Sequence, residues 1–261
     1  MPNYHHWLIT TEQHITTLTL NRPAALNSLT PETLFELREI AHTLRDDRDT
    51  WAIIVQAAGD HFSAGVDVAA ISAMVGQPDE VYAANLRDLQ NCLDEFEALP
   101  KPKIARIRGY CIGGGLLLTL CCDFRIADDT AKFHLPEVKL GIAVIMGTQR
   151  ITRLVGAAAA KEMVLLAERF NAAKARDYGL LTALVEEDKL DQTVAQFADR
   201  FRHLPPRTLE AANQIINQGA AMTLRESQEL EIQLQAQLLH HPDFAEGVQA
   251  FFEKRPPRFV G

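Results

Sequence analysis

The chain has 261 residues, of which 47% are hydrophobic and 23% charged, with a formal net charge of −8. That length suits one large domain, or one domain with an appendage, and can bury a sizeable core. The acidic balance argues against a general nucleic-acid or anionic-membrane binder, while leaving room for a local basic pocket; no apolar run approaches a membrane span.

The start, Met1-Pro-Asn-Tyr-His-His-Trp-Leu-Ile9, lacks the basic and long apolar regions of a secretion signal, so a cytoplasmic location is expected. Ile15–Leu20 alternates Thr with aliphatic residues and predicts a strand, broken by Asn21-Arg-Pro23. Thr30-Pro-Glu-Thr33 opens a helix, with Thr30 as N-cap and Pro31 in the first turn. Leu34, Leu37, Ile40, Ala41 and Leu44 recur at helical spacing and predict one buried face. Strand Ala52–Gln56 follows, then a short helical run from Asp67 to about Gly76. Tyr82, Leu86, Leu89, Leu93, Phe96 and Leu99 mark a long amphipathic helix that Pro100-Lys-Pro102 stops. Lys103–Ile107 and Asp123–Ala127 read as strands, Ala157–Arg169 and Ala172–Tyr178 as helices, and Leu181–Glu186 as an extended segment. From Lys189 the pattern is helical, broken by Pro205-Pro206, Gly219 and Pro242. Strands alternating with helices predict a layered α/β core. The boundary falls near Val185–Lys189, giving a core over 1–187 and a helical region over 188–261. Leu224–Leu239 is either a core-facing helix or a subunit contact.

The four cysteines, Cys92, Cys111, Cys121 and Cys122, fit neither a zinc motif nor a disulfide framework. No metal is expected, and they read as small core residues in a reducing compartment.

Two turns share one design. Gly109-Tyr-Cys-Ile-Gly-Gly-Gly-Leu-Leu-Leu-Thr-Leu-Cys-Cys-Asp123 joins a strand to an apolar helix through three glycines. Without Cβ atoms the main chain can approach a ligand, and the first N–H groups of the helix can hold a developing oxyanion. The plainer alternative is a close-packed turn. His61-Phe-Ser-Ala-Gly-Val-Asp67 repeats the pattern after the apolar run Trp51–Ala57. Asp67 reads as a helix-start residue. Glu137, in Phe133-His-Leu-Pro-Glu-Val-Lys-Leu-Gly141, lies among apolar residues, where burial raises a carboxyl pKa and suits it to act as a base.

Six segments in order carry a resemblance. They are Leu20-Asn-Arg-Pro-Ala-Ala-Leu-Asn-Ser-Leu29, Phe62-Ser-Ala-Gly-Val-Asp67, Lys101-Pro-Lys-Ile-Ala105 with Gly113-Gly-Gly115, Pro136-Glu-Val-Lys-Leu-Gly141, Gly147-Thr-Gln-Arg150 and Glu246-Gly-Val-Gln-Ala-Phe251. Along almost its whole length the chain resembles the crotonase, or enoyl-CoA hydratase/isomerase, superfamily. The resemblance implies a spiral of ββα turns with a helical C-terminal region, and a homotrimer or a hexamer of paired trimers. It implies an acyl-CoA or acyl-carrier thioester as substrate, with coenzyme A as part of the substrate and no separate cofactor. It places the oxyanion hole at the N–H groups of Val66 and Gly114, and the Ala64 carbonyl near the adenine. Gly65, Gly113 and Lys254 belong to the substrate path on the same ground.

The departures bear on the reaction. Hydratases of this superfamily carry a second glutamate where this chain has Leu117. Dienoyl-CoA isomerases have an aspartate there and another where this chain has Ile145. One base, Glu137, is left in an apolar setting. That implies movement of a double bond from the 3,4 to the 2,3 position, since Leu117 cannot hold water. Hydration with a non-standard site, C–C hydrolysis or decarboxylation, and a non-catalytic binding role are the alternatives. Ala24 and Ala69 stand where relatives often have lysines for coenzyme A, which keeps a carrier-bound acyl group or a β-diketone open. His61, His134 and Tyr110 lie near the motifs without an assigned role. His134 shares a face with Glu137 only if their segment is helical. Cys111 lies near the site but lacks an evident His partner.

Overall fold

The computed structural model describes residues 4–261; Met1–Asn3, the first part of the start, lie outside them. The alternation at the N-terminus folds as expected, burying Thr16, Leu18 and Leu20 on one face of a strand. A preceding strand, β1 (Trp7–Glu12), went unread in the sequence. It pairs antiparallel with β2 (Ile15–Leu20) through the two-residue turn Gln13-His14, both with positive φ. Neither is the Asn or Gly that such a turn prefers, so the hairpin left little local signal.

The chain continues with α1 (Pro31–Arg45), β3 (Ala52–Ala57), α2 (Val68–Ser72), α3 (Asp79–Glu97), β4 (Lys103–Ile107), β5 (Tyr110–Ile112) and α4 (Gly114–Leu120). Next come β6 (Phe124–Asp128), β7 (Lys132–His134), α5 (Thr148–Leu165), β8 (Phe170–Asn171), α6 (Ala172–Asp177) and β9 (Ala183–Val185). Four helices finish it: α7 (Leu190–Asp199), α8 (Pro206–Gly219), α9 (Leu224–Leu238) and α10 (Pro242–Glu253).

Six strands form one sheet in the order β1-β2-β3-β4-β6-β9, parallel from β2 onward. A small second sheet has the order β5-β7-β8. Isolated parallel bridges, Leu29 with Val66 and Ser63 with Cys111, extend its pattern toward the N-terminal turns. The chain thus repeats a unit: a strand in the large sheet, an extended stretch or short strand beside the previous turn's, then a helix. This is the crotonase-like spiral of ββα turns, and it stacks the loops after successive strands beside one another.

The helices follow their sequence logic. Thr30 caps α1 by accepting from the Thr33 N–H at 3.3 Å, and its own N–H donates in return to the Thr33 hydroxyl oxygen. Leu34, Leu37, Ile40 and Leu44 are buried, each contributing about 1.5–3 kcal/mol of apolar transfer. α3 buries Leu89, Cys92, Leu93 and Phe96 in the same core. All seven residues of α4 are buried. On the other face of the large sheet, α7 packs Leu190, Val194 and Ala198 against Ala52, Ile104 and Ile126.

Two expectations change. The helix expected over Ala157–Arg169 begins at Thr148 and ends at Leu165, with a kink at Gly156 (φ 80°, ψ 162°) that hid its first half from a periodicity reading. The helix from Leu224 is not core-facing in the single chain. Only Leu234 of α9 is buried, while Leu224 and Ile232 stand exposed.

Candidate active site

The first turn is fixed by side chains that reach back from the Asn-Arg-Pro loop. Asn27 is buried with φ 54°, and its amide donates to the Ala58 and His61 carbonyls at 2.8 Å each. It also accepts from the Arg22 N–H at 2.9 Å. The Ser63 hydroxyl donates to the Asn27 carbonyl at 2.8 Å and accepts the Gly65 N–H at 3.0 Å. The Gly65 carbonyl accepts from the Leu29 N–H, and the Asp67 N–H donates to the Leu29 carbonyl. Asp67 caps α2 through the Ala69 N–H at 3.0 Å, as expected of a helix-start residue. Val66 is held between these bonds, yet its own N–H has no acceptor among the described residues. The Ala64 carbonyl likewise accepts no backbone hydrogen bond there.

The second turn meets the first. The Gly113 N–H donates to the His134 carbonyl at 2.8 Å, and the Gly113 carbonyl accepts from the Leu117 N–H at 3.0 Å. Gly113 has φ 49° and ψ −124°, a conformation that only glycine, lacking a Cβ, adopts at low cost. Gly114 then opens α4 with an N–H that finds no acceptor among the described residues. A Cβ on Gly114 would lie 2.8 Å from Val66 Cγ2 and 3.4 Å from the Val66 nitrogen. The two free N–H groups therefore belong to one small patch. At the far end of α4, the buried guanidinium of Arg125 donates to the carbonyls of Thr119, Cys122 and Leu180, which fixes the helix on β6.

Glu137 completes the patch. It begins a single 3₁₀ turn, Glu137–Leu140, directly after β7 and Pro136. A Cβ on Gly113 would lie 2.8 Å from Glu137 Oε1, so the carboxylate stands over the glycine that precedes the Gly114 N–H. Glu137 Oε2 is buried without a hydrogen-bond partner. Desolvation holds the Glu137 pKa above its ordinary value of 4.5, against the weaker opposing pull of its own backbone N–H. The expected raised pKa agrees with this setting, although the residue as a whole is only half-buried and Oε2 alone is fully enclosed.

Leu117 is buried, and its side chain packs on the opening of α5: a Cβ on Gly147 would fall 2.0 Å from Leu117 Cδ2. Ile145 is 38% exposed on the loop between Glu137 and α5. Gly65 touches the same turn, since its Cβ would meet the Ile112 carbonyl at 2.9 Å. Lys254 is not brought into this group. It ends α10 in a left-handed conformation (φ 54°) on the exposed surface. Ala24 and Ala69 are also exposed and supply no charge.

The unassigned neighbours settle as structure. His134 ends β7 with Nε2 at 3.0 Å from the Ala167 carbonyl, and burial lowers its pKa. Glu137 turns toward Gly113 instead, so the two side chains go to different partners. His61 stacks on Tyr110 with ring centroids 4.2 Å apart. Cys111 is fully buried and desolvation pushes its thiol far up, which leaves it inert as a nucleophile. Asn27, Ser63 and Arg125 were not singled out from sequence. Their signal was faint: polar residues beside apolar runs, a pattern that surface loops share.

A family model described as enoyl-CoA hydratase/isomerase matches residues 10–261. The chain belongs to the enoyl-CoA hydratase/isomerase family. Among its relatives in this family is the (E)-benzylidenesuccinyl-CoA hydratase of Thauera aromatica. It is 37% identical over 251 residues, which covers 95% of this chain and 96% of the relative. The probable enoyl-CoA hydratase echA8 of Mycobacterium tuberculosis is 34% identical over 259 residues, 98% of each chain. Among solved structures, an enoyl-CoA hydratase from Bacillus anthracis superposes with a TM-score of 0.90 at 32% identity, covering 98% of this chain and 99% of that one. Family membership and fold agree with the resemblance carried by the six segments. The relatives' names say hydratase, which bears on the choice between isomerisation and hydration.

Proposed function

We propose that this family member shifts a 3-enoyl thioester to its 2-enoyl isomer, with Glu137 as the single acid–base. The thioester oxygen lies between the N–H groups of Val66 and Gly114. The Glu137 carboxylate takes a proton from C2, and the electrons of that C–H bond move into a dienolate whose oxygen the two N–H groups stabilise. The same carboxyl then gives its proton to C4 as the double bond settles between C2 and C3. Atoms balance without water or a cofactor. Ala64, Gly65 and Gly113 line the thioester path in this reading; Lys254, exposed at the end of α10 and outside this group in the single chain, would serve the nucleotide of coenzyme A from a neighbouring copy.

The observation that carries the reading is Glu137 Oε2, buried and unpartnered beside Gly113, with an aliphatic Leu117 where a second acid would stand. A desolvated carboxylate is a stronger base than one in water, and an apolar neighbour gives water no hold. The names of the relatives favour a second reading, hydration of a 2-enoyl thioester. A 3-enoyl-CoA and a 2-enoyl-CoA, each mixed with the protein and followed by absorbance and product mass, separate the two. Conjugation of the first without hydration of the second supports isomerisation; hydration of the second overturns it. We also propose that α9 and α10 face further copies of the chain in a trimer or hexamer. The exposed Leu224, Ile232, Phe251 and Phe252 support this, and sedimentation tests it.

A further inference from the structure

The loop from Gly141 to Gly147 carries Ile145 and ends on the glycine that Leu117 packs against, yet few bonds hold it. At its start the Ile142 N–H donates to the Glu137 carbonyl at 3.1 Å, which ties the loop to the residue that bears the base. Within it, the Ile145 N–H reaches the Ala143 carbonyl at 2.8 Å, and the Thr148 hydroxyl donates to the Val144 carbonyl. Val144 is buried and Met146 packs on the core from a left-handed backbone conformation (φ 66°). That conformation is unfavourable for an unbranched L residue and persists only where surrounding bonds enforce it.

Arg150 supplies such a bond. Its Nη1 donates to the Met146 carbonyl. Its Nε donates to Glu97 Oε2 at 2.7 Å, and Nη2 lies beside both Asp94 and Glu97. Both carboxylates belong to α3, a helix that otherwise packs on α1 and the core. The guanidinium side chain is 12% exposed, while Asp94 and Glu97 are 48% and 39% exposed. A planar fork can satisfy two carboxylates and a carbonyl at once; a lysine ammonium lacks that geometry.

We propose that Arg150 is a positioning residue for the reaction read above. Anchored on α3, it fixes Met146 and Gly147 so that Gly147 stays against Leu117, keeping water from the wall beside Glu137 and setting the fit of the acyl chain. This rests on the isomerase reading, so the test includes readouts that do not depend on it. The chemistry of Glu137 is left untouched, since Arg150 reaches it only through the loop.

The test compares Arg150→Met, Arg150→Lys and the double variant Asp94→Asn with Glu97→Gln. The double variant lies wholly on α3 and keeps hydrogen-bonding side chains at both positions, but it leaves the largely buried Arg150 guanidinium without its carboxylate partners, so urea unfolding of each variant is measured alongside to separate loop release from general destabilisation. Three measurements are made on each: hydrogen–deuterium exchange of the 142–147 amides, exchange of the C2 protons of a saturated acyl-CoA in deuterated water, and kcat and KM with 3-enoyl-CoA esters of short and long chain. Arg150→Met should speed exchange of the loop amides and lower kcat/KM for the long chain by about 10- to 100-fold, the loss expected for misplacement of up to about 1 Å. Its KM should rise more than its kcat falls, some hydrated product should form, and the pH profile should keep its acid limb. The double variant should reproduce these effects and Arg150→Lys should lie between. Unchanged loop exchange together with an unchanged KM in Arg150→Met, or a silent double variant, overturns the proposal. Absence of C2-proton exchange in the unaltered protein instead removes the Glu137 reading, while loop exchange still decides whether Arg150 holds the loop.

Discussion

The segment after β7 and the helix α4 meet at the Gly113–Gly115 turn with opposite chemistry. The first offers Glu137, a carboxylate whose Oε2 has no partner and whose pKa is raised by burial. The second offers Leu117, packed without a gap on Gly147. A buried ionisable group without a partner destabilises the fold, whereas a buried leucine stabilises it. The contrast separates a place where the molecule bears an energetic cost, which the proposed isomerisation would use, from a place where it gains packing. Each variant below attacks one side of it.

The largest effect is expected from Glu137→Gln. Turnover should fall by about 10²–10⁴-fold, the usual contribution of a positioned acid–base group, while acyl-CoA binding by calorimetry stays near that of the unaltered protein. Retained turnover would remove Glu137 from the mechanism. Gly114→Ala comes next, because its Cβ would stand 2.8 Å from Val66 Cγ2 and crowd the patch of two free N–H groups. Loss of one oxyanion donor typically costs about 10²–10³-fold in kcat, and C2-proton exchange should fall in parallel.

Leu117→Ala acts on the packed side. It should lower stability by about 2–5 kcal/mol in urea unfolding, from lost transfer energy and the cavity left beside Gly147. A small hydrated fraction from a 2-enoyl-CoA would accompany the opened space, and unchanged stability would show that the Gly147 contact matters little. The smallest effect concerns pH. The folded state holds the Glu137 proton more tightly than the unfolded chain, so stability should fall as pH rises from 4.5 through the raised folded value and level off above it. Glu137→Gln should remove that decline, so the inactive variant should melt higher at neutral pH. The acid limb of kcat/KM should likewise lie above 4.5, since the base works only when ionised.

Local patterns by themselves determine much of this protein. Thr30 and Pro31 announced α1, the spaced leucines announced α1 and α3, and small residues after apolar strands, with a glycine run in one of them, marked both turns of the site. Those signals are legible because caps, helical periodicity and tight turns depend on residues a few positions apart. Tertiary structure alone decided the rest. The short strands β5, β7 and β8 exist because the spiral stacks them, and no stretch of two or three residues carries its own periodicity. Glu137 reaches Gly113, Leu117 meets Gly147, and Asn27 holds Ala58 and His61 only because separate turns converge. The exposure of Leu224 and Ile232 on α9 was equally hidden, since an apolar stripe reads alike whether it meets its own core or is left bare. Sequence spacing fixes which face of an element is apolar; what that face touches depends on contacts between residues far apart in the chain.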